Sequence, residues 1–386
     1  MREFDVAVVG TGTVGSMALW QLSQRSGLSV IGIDRYGPAH SHGSFTGESR
    51  LFRVAYKEGA RYVPLLQEAR RMWQTLEEQS GQEIFLPVGA LSVGPAGSEV
   101  LDTTLATIEE FDLPHRVFDA DELRTTYPTF SVTDDDCGVL DLSGGGLRSE
   151  RGVLSALTLA EANGVEMMYN SPVLAIDDGP DEGILVRTPS GTVRAGTVVV
   201  AAGSWAQTLR PELAGLLGVM PLALTWFMPR NLSRYAPDVL PVFMRDIGDV
   251  HFFGAPSLDG YSLKISTSLD WPAVRTPAEL PQLTPAELTL IGQRAQEFFP
   301  DLNPEPVRAS MHHDAYTHDR MPIIDRDPSG RIITVAGLSG HGFKMAPILG
   351  KIAADLAVDG SSDLHGDDYS IAASRARLDA GAVAPA

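Results

Sequence analysis

A single cysteine, Cys137, excludes any disulfide within this chain and fits a reducing compartment. Basic residues are few. Lys and Arg total 30 against 49 Asp and Glu, for a formal net charge of -19 over 386 residues. So acidic a surface disfavours nucleic acid and anionic membrane as partners. It leaves room for a small anion held by a local group of Arg and Lys. Long apolar runs are missing too. The first, Val6 to Val9, is broken at once by glycines, and none is long enough to span a bilayer. No targeting segment precedes Phe4, so the expectation is a soluble cytoplasmic protein, a monomer or small homo-oligomer. Internal repeats are absent, and only the Ala-rich end, Ala380 to Ala386, reads as frayed. The histidines show no metal-ligand spacing with cysteine or carboxylate, and no Ser-His-Asp nucleophile context is visible. No metal is expected.

What the chain does have is glycine in telling places. Phe4 to Val9 reads as a buried parallel strand, followed by Gly10-Thr11-Gly12-Thr13-Val14-Gly15 and a helix over Ser16 to Ser26. Leu28 to Ile33 is a second strand ending in Asp34. In this strand-turn-helix-strand unit Gly10 permits the tight turn, Gly12 lets the backbone approach a pyrophosphate, and Gly15 lets the helix sit close on the strand. The helix N-terminus offers free N–H groups to phosphates, and Asp34 offers a carboxylate to ribose hydroxyls. The motif does not separate NAD from FAD.

Further along, a long surface helix is expected over Glu58 to Ser80 and a strand near Val88 to Val93. Short elements should fill Glu109 to Tyr127, with a helix over Arg151 to Asn163. Gly164 to Val199 reads as short strands and hairpins. Leu217 to Ser268 reads as an antiparallel sheet, and Thr284 to Phe299 as a helix. The end returns to strand-glycine-helix, from Ile332 through Gly337 to Val358. The fold class is therefore α/β in two domains. A Rossmann-like nucleotide domain is assembled from 1-85, 148-216 and 321-375; a substrate domain with a mainly antiparallel sheet comes from 86-147 and 217-320; 376-386 is a tail.

Two more glycine segments bear on the cofactor. Thr197 to Ala202 is a buried strand ending at Gly203-Ser204-Trp205, either near a cofactor or an ordinary strand-to-loop junction. Thr334 to Lys344, with Gly337, Gly340, His341, Gly342 and Phe343, breaks a strand into glycines and starts a helix. That second helix N-terminus, with Lys344 beside it, can stabilise negative charge on a reduced flavin ring. A nicotinamide enzyme needs no such site, so the cofactor expected is FAD.

With these pieces the chain resembles the monomeric sarcosine oxidase and N-methyltryptophan oxidase family. The likeness runs from about Phe4 to about Val358. Its most specific parts are the glycine turn, Gly43-Ser44-Phe45-Thr46-Gly47-Glu48-Ser49-Arg50-Leu51-Phe52-Arg53, and Gly337 to Lys344. The resemblance implies an FAD oxidase of a carboxylate-bearing secondary or cyclic amine, using O2 and giving an imine and hydrogen peroxide. It implies FAD contacts from Thr13, Val14, Arg35, Ser44, Arg50 and Trp205. Arg53 and Lys344 match the pair that grips the substrate carboxylate; an Arg fork and a Lys ammonium suit that task, though Arg53 also suits a structural ion pair. Arg50 matches a residue beside the flavin ring, one helical turn from Arg53 if that segment is helical. Lys264 matches the lysine that assists oxygen reduction; it also reads as a solvent-facing strand lysine.

The chain also departs from the family. Where sarcosine oxidases carry a flavin-linking cysteine, His312 stands, so noncovalent FAD is expected, with a histidyl bond as the alternative. A family histidine aligns with Thr46, a sheet tyrosine with Phe253, a second histidine with Ser268, and a tyrosine with Asp314. Asp314 either meets a cationic amine or pairs with His313 or Arg320. The substrate implied is other than sarcosine. The competing readings are an FAD-dependent dehydrogenase that passes electrons to another acceptor and a noncatalytic flavin-binding protein.

Overall fold

The protein is described by a computed structural model covering residues 1–55, 59–179, 183–247, 250–267 and 269–381. One sheet is built from chain segments far apart in sequence. Its order is Ala175–Asp178, Ile184–Thr188, Gly191–Val200, Arg2–Val9, Val30–Ile33 and Glu166–Met168. Gly191–Val200 is the organising strand, because its two halves have different partners. Its first half forms an antiparallel hairpin with Ile184–Thr188, while Val198 to Val200 pair in parallel with Ile332 to Thr334. Arg2–Val9 lies parallel along its other edge. The continuous valines of these strands follow from burial on both faces.

Helices Thr13–Leu22, Ser149–Ala162 and Ala346–Val358 pack together beside this sheet. Close approach depends on Gly350, where an added Cβ would lie 2.5 Å from the Met17 Cβ. Two expected helices shift, and the one expected over Ser16 to Ser26 is Thr13–Leu22. The one expected from Glu58 is Val63–Ser80, begun by Pro64 in its first turn and ended by Gly81 at φ 66°. It is no surface helix, since Leu66, Ala69, Trp73 and Leu76 are fully buried. Residue 58 lies outside the described residues. A helix at Glu99–Phe111 precedes the short elements. The tail expected from residue 376 is instead the end of helix Ile371–Asp379, where Arg377 bonds Asp319.

The second sheet runs Arg308–Thr317, Leu217–Phe227, Leu263–Thr267, Val250–Ala255, Val242–Ile247, Ala90–Pro95, Asp136–Asp141 and His115–Phe118. Only the junction of Val242–Ile247 with Ala90–Pro95 is parallel; there the two separated stretches of chain meet. Strand alternation divides its faces. Phe243, Phe252 and Ile265 pack with Phe298 of helix Pro285–Phe298, whose N-terminus is closed by a Thr284–Glu287 capping box. The other face carries Arg308, Ser310, His312 and Asp314 on one strand, Trp226 opposite Arg308, Lys264 opposite Trp226, and Phe253 opposite Ser266. A small third sheet joins Ser49–Phe52, Gly145–Arg148 and Phe85–Leu86. Ser49–Phe52 packs against both Val250–Ala255 and the turn Phe343–Met345.

Candidate active site

The glycine turn has little choice of residue. Gly10 sits at φ 88°, and a Cβ there would lie 2.6 Å from the Ala201 carbonyl oxygen. At Gly15 a Cβ would lie 1.8 Å from the Gly10 carbonyl oxygen, a backbone atom that cannot yield. Helix Thr13–Leu22 therefore starts hard against the strand end. No side chain caps its N-terminus.

That N-terminus opens into a cleft of about 1230 Å³, its open mouth included. Its wall gathers all three glycine segments: Gly10, Gly12, Thr13 and Val14; Gly203 and Trp205; Gly337, Gly340, Gly342 and Phe343. Asp34, Arg35, Ser44, Arg50 and Asp314 complete it. Gly15, His341 and Lys344 are not on the wall. Gly15 does packing work. His341 is buried, with Nε2 at 3.1 Å from the Arg320 carbonyl. At Gly337 and Gly340 (φ 65° and 82°) a Cβ would strike Thr317 Cγ2 at 2.5 Å and Tyr316 Oη at 2.7 Å. A cradle bared of side chains and a free helix end fit the phosphates of a dinucleotide.

Asp34 is buried, and its Oδ2 accepts the Thr11 backbone N–H (2.7 Å) and hydroxyl (3.0 Å). Its Oδ1 accepts the Tyr36 N–H at 2.8 Å. Burial pushes its carboxyl up, but His40 and these amides outweigh burial and hold it below the usual range.

Beside the cleft, the turn Ser44 to Ser49 collects two cations through its carbonyls. Arg50 donates to the carbonyls of Ser44 (2.6 Å), Ser49 (2.6 Å) and Thr46. Lys264 Nζ donates to those of Gly47 (2.8 Å) and Ser49 (2.9 Å). Lys264 is 4% exposed, so it is not the solvent-facing strand lysine. Burial first, then Arg50, push its pKa well below the ordinary value. The condition that would put Arg50 one helical turn from Arg53 is not met. Ser49–Phe52 is a strand, held by pairing to Gly145–Arg148, a partner nearly a hundred residues away in sequence. Arg53 is buried just beyond that strand, and Lys344 is buried in the turn Phe343–Met345 packed on it.

Thr46 and His312, two departures from the family pattern, meet. Thr46 Oγ1 lies 2.9 Å from His312 Nδ1, and Ser310 Oγ lies 2.7 Å from His312 Nε2. Burial, Arg50 and Lys264 push this imidazole down to about 3, so it is neutral. Neither Thr46 nor His312 is on the cleft wall. His313 turns away, its ring between the Ser204 hydroxyl (2.8 Å) and the His42 carbonyl (3.0 Å). Asp314 consequently pairs with neither His313 nor Arg320. Its carboxylate accepts the backbone N–H of Gly340 and Ala315, each at 2.8 Å. Burial raises its pKa to about 6 against the pull of these amides and Arg50. Phe253 is half-buried on the same sheet face, and Ser268 lies outside the described residues.

One residue escaped the sequence reading. Glu150, in the first turn of helix Ser149–Ala162, accepts the N–H of Gly47 at 2.6 Å and of Glu48 at 3.1 Å. Its only sequence signal was an acid at a helix start. Among the described residues there is no cluster of side chains able to hold a metal, and no helix long and apolar enough to cross a membrane.

Comparison with known proteins agrees with this geometry. The FAD dependent oxidoreductase family (DAO) matches residues 5–356. The monomeric sarcosine oxidase of Streptomyces avermitilis is 31% identical over 93% of this chain and 94% of its own. The N-methyl-L-tryptophan oxidase of Salmonella typhi is 33% identical over 92% and 95%. Among solved structures, NikD, described as an unusual amino acid oxidase essential for nikkomycin biosynthesis, superposes with a TM-score of 0.84 at 23% identity. That match covers 96% of this chain and 98% of NikD, a likeness of fold. At such similarity over such length, the chain belongs to the monomeric sarcosine oxidase and N-methyltryptophan oxidase family of FAD-dependent oxidoreductases.

Proposed function

We propose that this protein is an FAD-dependent oxidase of a secondary or cyclic amino acid other than sarcosine, acting with O2. Residues 1-85, 148-216 and 321-375 form the FAD domain, and 86-147 with 217-320 the substrate domain. The cleft wall residues of the three glycine segments, with Asp34, Arg35, Ser44 and Arg50, hold the dinucleotide. FAD held by these residues would supply the two-electron acceptor for oxidising the C–N bond to an imine, with O2 as the final acceptor, reduced to hydrogen peroxide.

Arg53 and Lys344 hold the substrate carboxylate; their segments pack on each other and both are buried, where charge-assisted hydrogen bonds gain strength. Asp314 and the half-buried Phe253 form the amine side. Thr46, whose hydroxyl is engaged by His312, supports that wall from behind. This mixture of an apolar ring and a carboxyl favours a bulky or cyclic amine. FAD is held noncovalently, because both nitrogens of His312 are taken up by hydroxyls.

The observation that carries the oxidase reading is Lys264: a buried amine fixed by two carbonyls beside Arg50, next to the cleft. An ammonium has three N–H donors, so one remains for oxygen or a water. The test is anaerobic bleaching of the yellow protein by an amino acid panel, followed by peroxide yield in air. Lys264→Met should slow reoxidation about 100-fold or more, as loss of a preorganised charge does. If wild type yields little peroxide in air and O2 reoxidises the variant just as slowly, the dehydrogenase reading takes over.

A further inference from the structure

The turn that receives Lys264 is itself an unfavourable piece of backbone. Gly47 has φ 102° and Glu48, a residue with a Cβ, has φ 75°. Such a conformation persists only where its surroundings fix it. The Glu48 side chain does not do this, being drawn away by Trp226 Nε1 (2.6 Å) and Arg308 (3.0 Å). Glu150 does. Its Oε1 accepts both amides of the turn, its Oε2 accepts the Glu48 N–H at 3.1 Å, and Ser149 Oγ donates to Oε2 at 3.0 Å. On the opposite side of the Gly47–Glu48 peptide, the Gly47 carbonyl points at Lys264, which the Ser49 carbonyl two residues on also receives. That one peptide unit links an anion to a cation in series.

The charges agree with the geometry. Lys264 is faced by Arg50 and Glu48 from the turn that receives it, by Glu150 from the helix, and by Arg308 and His312 from the strand on the far side of Leu217–Phe227. His312 is neutral, and Glu48 is shared with Arg308. Glu150 is the carboxylate near both Arg50 and Lys264. Burial pushes its carboxyl up, but the amides of Glu48 and Gly47 and the Arg50 guanidinium hold it ionised.

We propose that Glu150 is the positioning residue for Lys264: it fixes the Gly47–Glu48 peptides whose neighbouring carbonyls hold the lysine, and its charge lets that ammonium stand beside Arg50. The inference rests on the oxidase reading of Lys264. Removing the anion lowers the lysine's proton affinity, so reoxidation by O2 should fall off from a lower pH.

The experiment reduces the holoenzyme with dithionite, mixes it with O2, and follows reoxidation from pH 6 to 10 in wild type, Glu150→Gln, Glu150→Asp and Lys264→Met. Near neutral pH Glu150→Gln should reoxidise about tenfold more slowly, the factor for a one-unit loss of lysine pKa. Its pH profile should move to lower pH, while Glu150→Asp, which keeps the charge, retains the wild-type profile. In the Lys264→Met background, Glu150→Gln should slow reoxidation no further. If Glu150→Gln does not fold, Glu150→Ala, which also removes the charge, supplies the same cycle in both backgrounds. An unshifted profile in Glu150→Gln, or an added slowing in the double variant, overturns the inference while leaving Lys264 in place. Wild-type reoxidation by Lys264→Met overturns the oxidase reading itself.

Discussion

Asp314→Asn tests the electrostatics of the cleft without any substrate. The native carboxyl is raised from 3.8 to about 6, chiefly by burial. The folded state therefore retains a proton that the unfolded chain releases. The sign follows: ionisation costs the fold nothing below pH 3.8, and the full cost is present above about pH 6. A rise of that size corresponds to about 3 kcal/mol at pH 8 and about half that at pH 5. An asparagine oxygen still accepts the Gly340 amide and carries no charge. At about 2.1 cal/mol/K of unfolding entropy per residue, removing that charge alone should raise the melting point of the FAD-free variant by about 4 °C at pH 8 and about 2 °C at pH 5. Loss of the bond from the Ala315 N–H subtracts a similar amount at every pH, so the pH dependence of the difference is the diagnostic quantity. Melting curves of both apoproteins across that range give it. A difference that stays flat, or grows as the pH falls, refutes the burial argument.

Other expectations are simpler to check. Gly15→Ala drives a Cβ into the Gly10 carbonyl, so the variant should lose about 3 kcal/mol of stability and bind FAD at least tenfold more weakly by flavin fluorescence titration. Arg53→Ala and Lys344→Ala should each weaken a carboxylate inhibitor by about 10- to 100-fold, and FAD retention far less, in parallel binding titrations. Acid precipitation should leave the yellow colour in the supernatant; colour in the pellet would point to a bond at His312.

The nucleotide end of this molecule was legible because its chemistry is local. Gly10, Gly15 and Asp34 lie within one strand-turn-helix-strand unit, and spacing alone assigns Gly10 the tight turn and Gly15 the close packing that the backbone shows. What was illegible depends on partners distant in sequence. Nothing near Arg50 announces a strand; the pairing with Gly145–Arg148 decides it. Thr46 and His312 could be picked out singly as departures, but 266 residues separate them, and only the fold makes them one hydrogen-bonded pair. Glu150 carried no motif at all, since its partners are backbone amides, which have no sequence signature. The Asp314 carboxylate likewise pairs with amides, where side-chain partners had been sought.

The forked pairing of Gly191–Val200 has a consequence for how the molecule is made. Arg2–Val9 leaves the ribosome well before its partner, and one long edge of it stays bare until Val200 is synthesised. The same organising strand then waits for Ile332 to Thr334, and the edge of Leu217–Phe227 waits for Arg308–Thr317. A nascent chain must carry apolar, unzipped edges through most of translation, the condition under which sheet proteins stick to one another. Slow maturation and a need for shielding in overproducing cells follow from the order of the strands. The cleft itself closes late, because Gly337 to Phe343 are among the last parts of its wall to arrive.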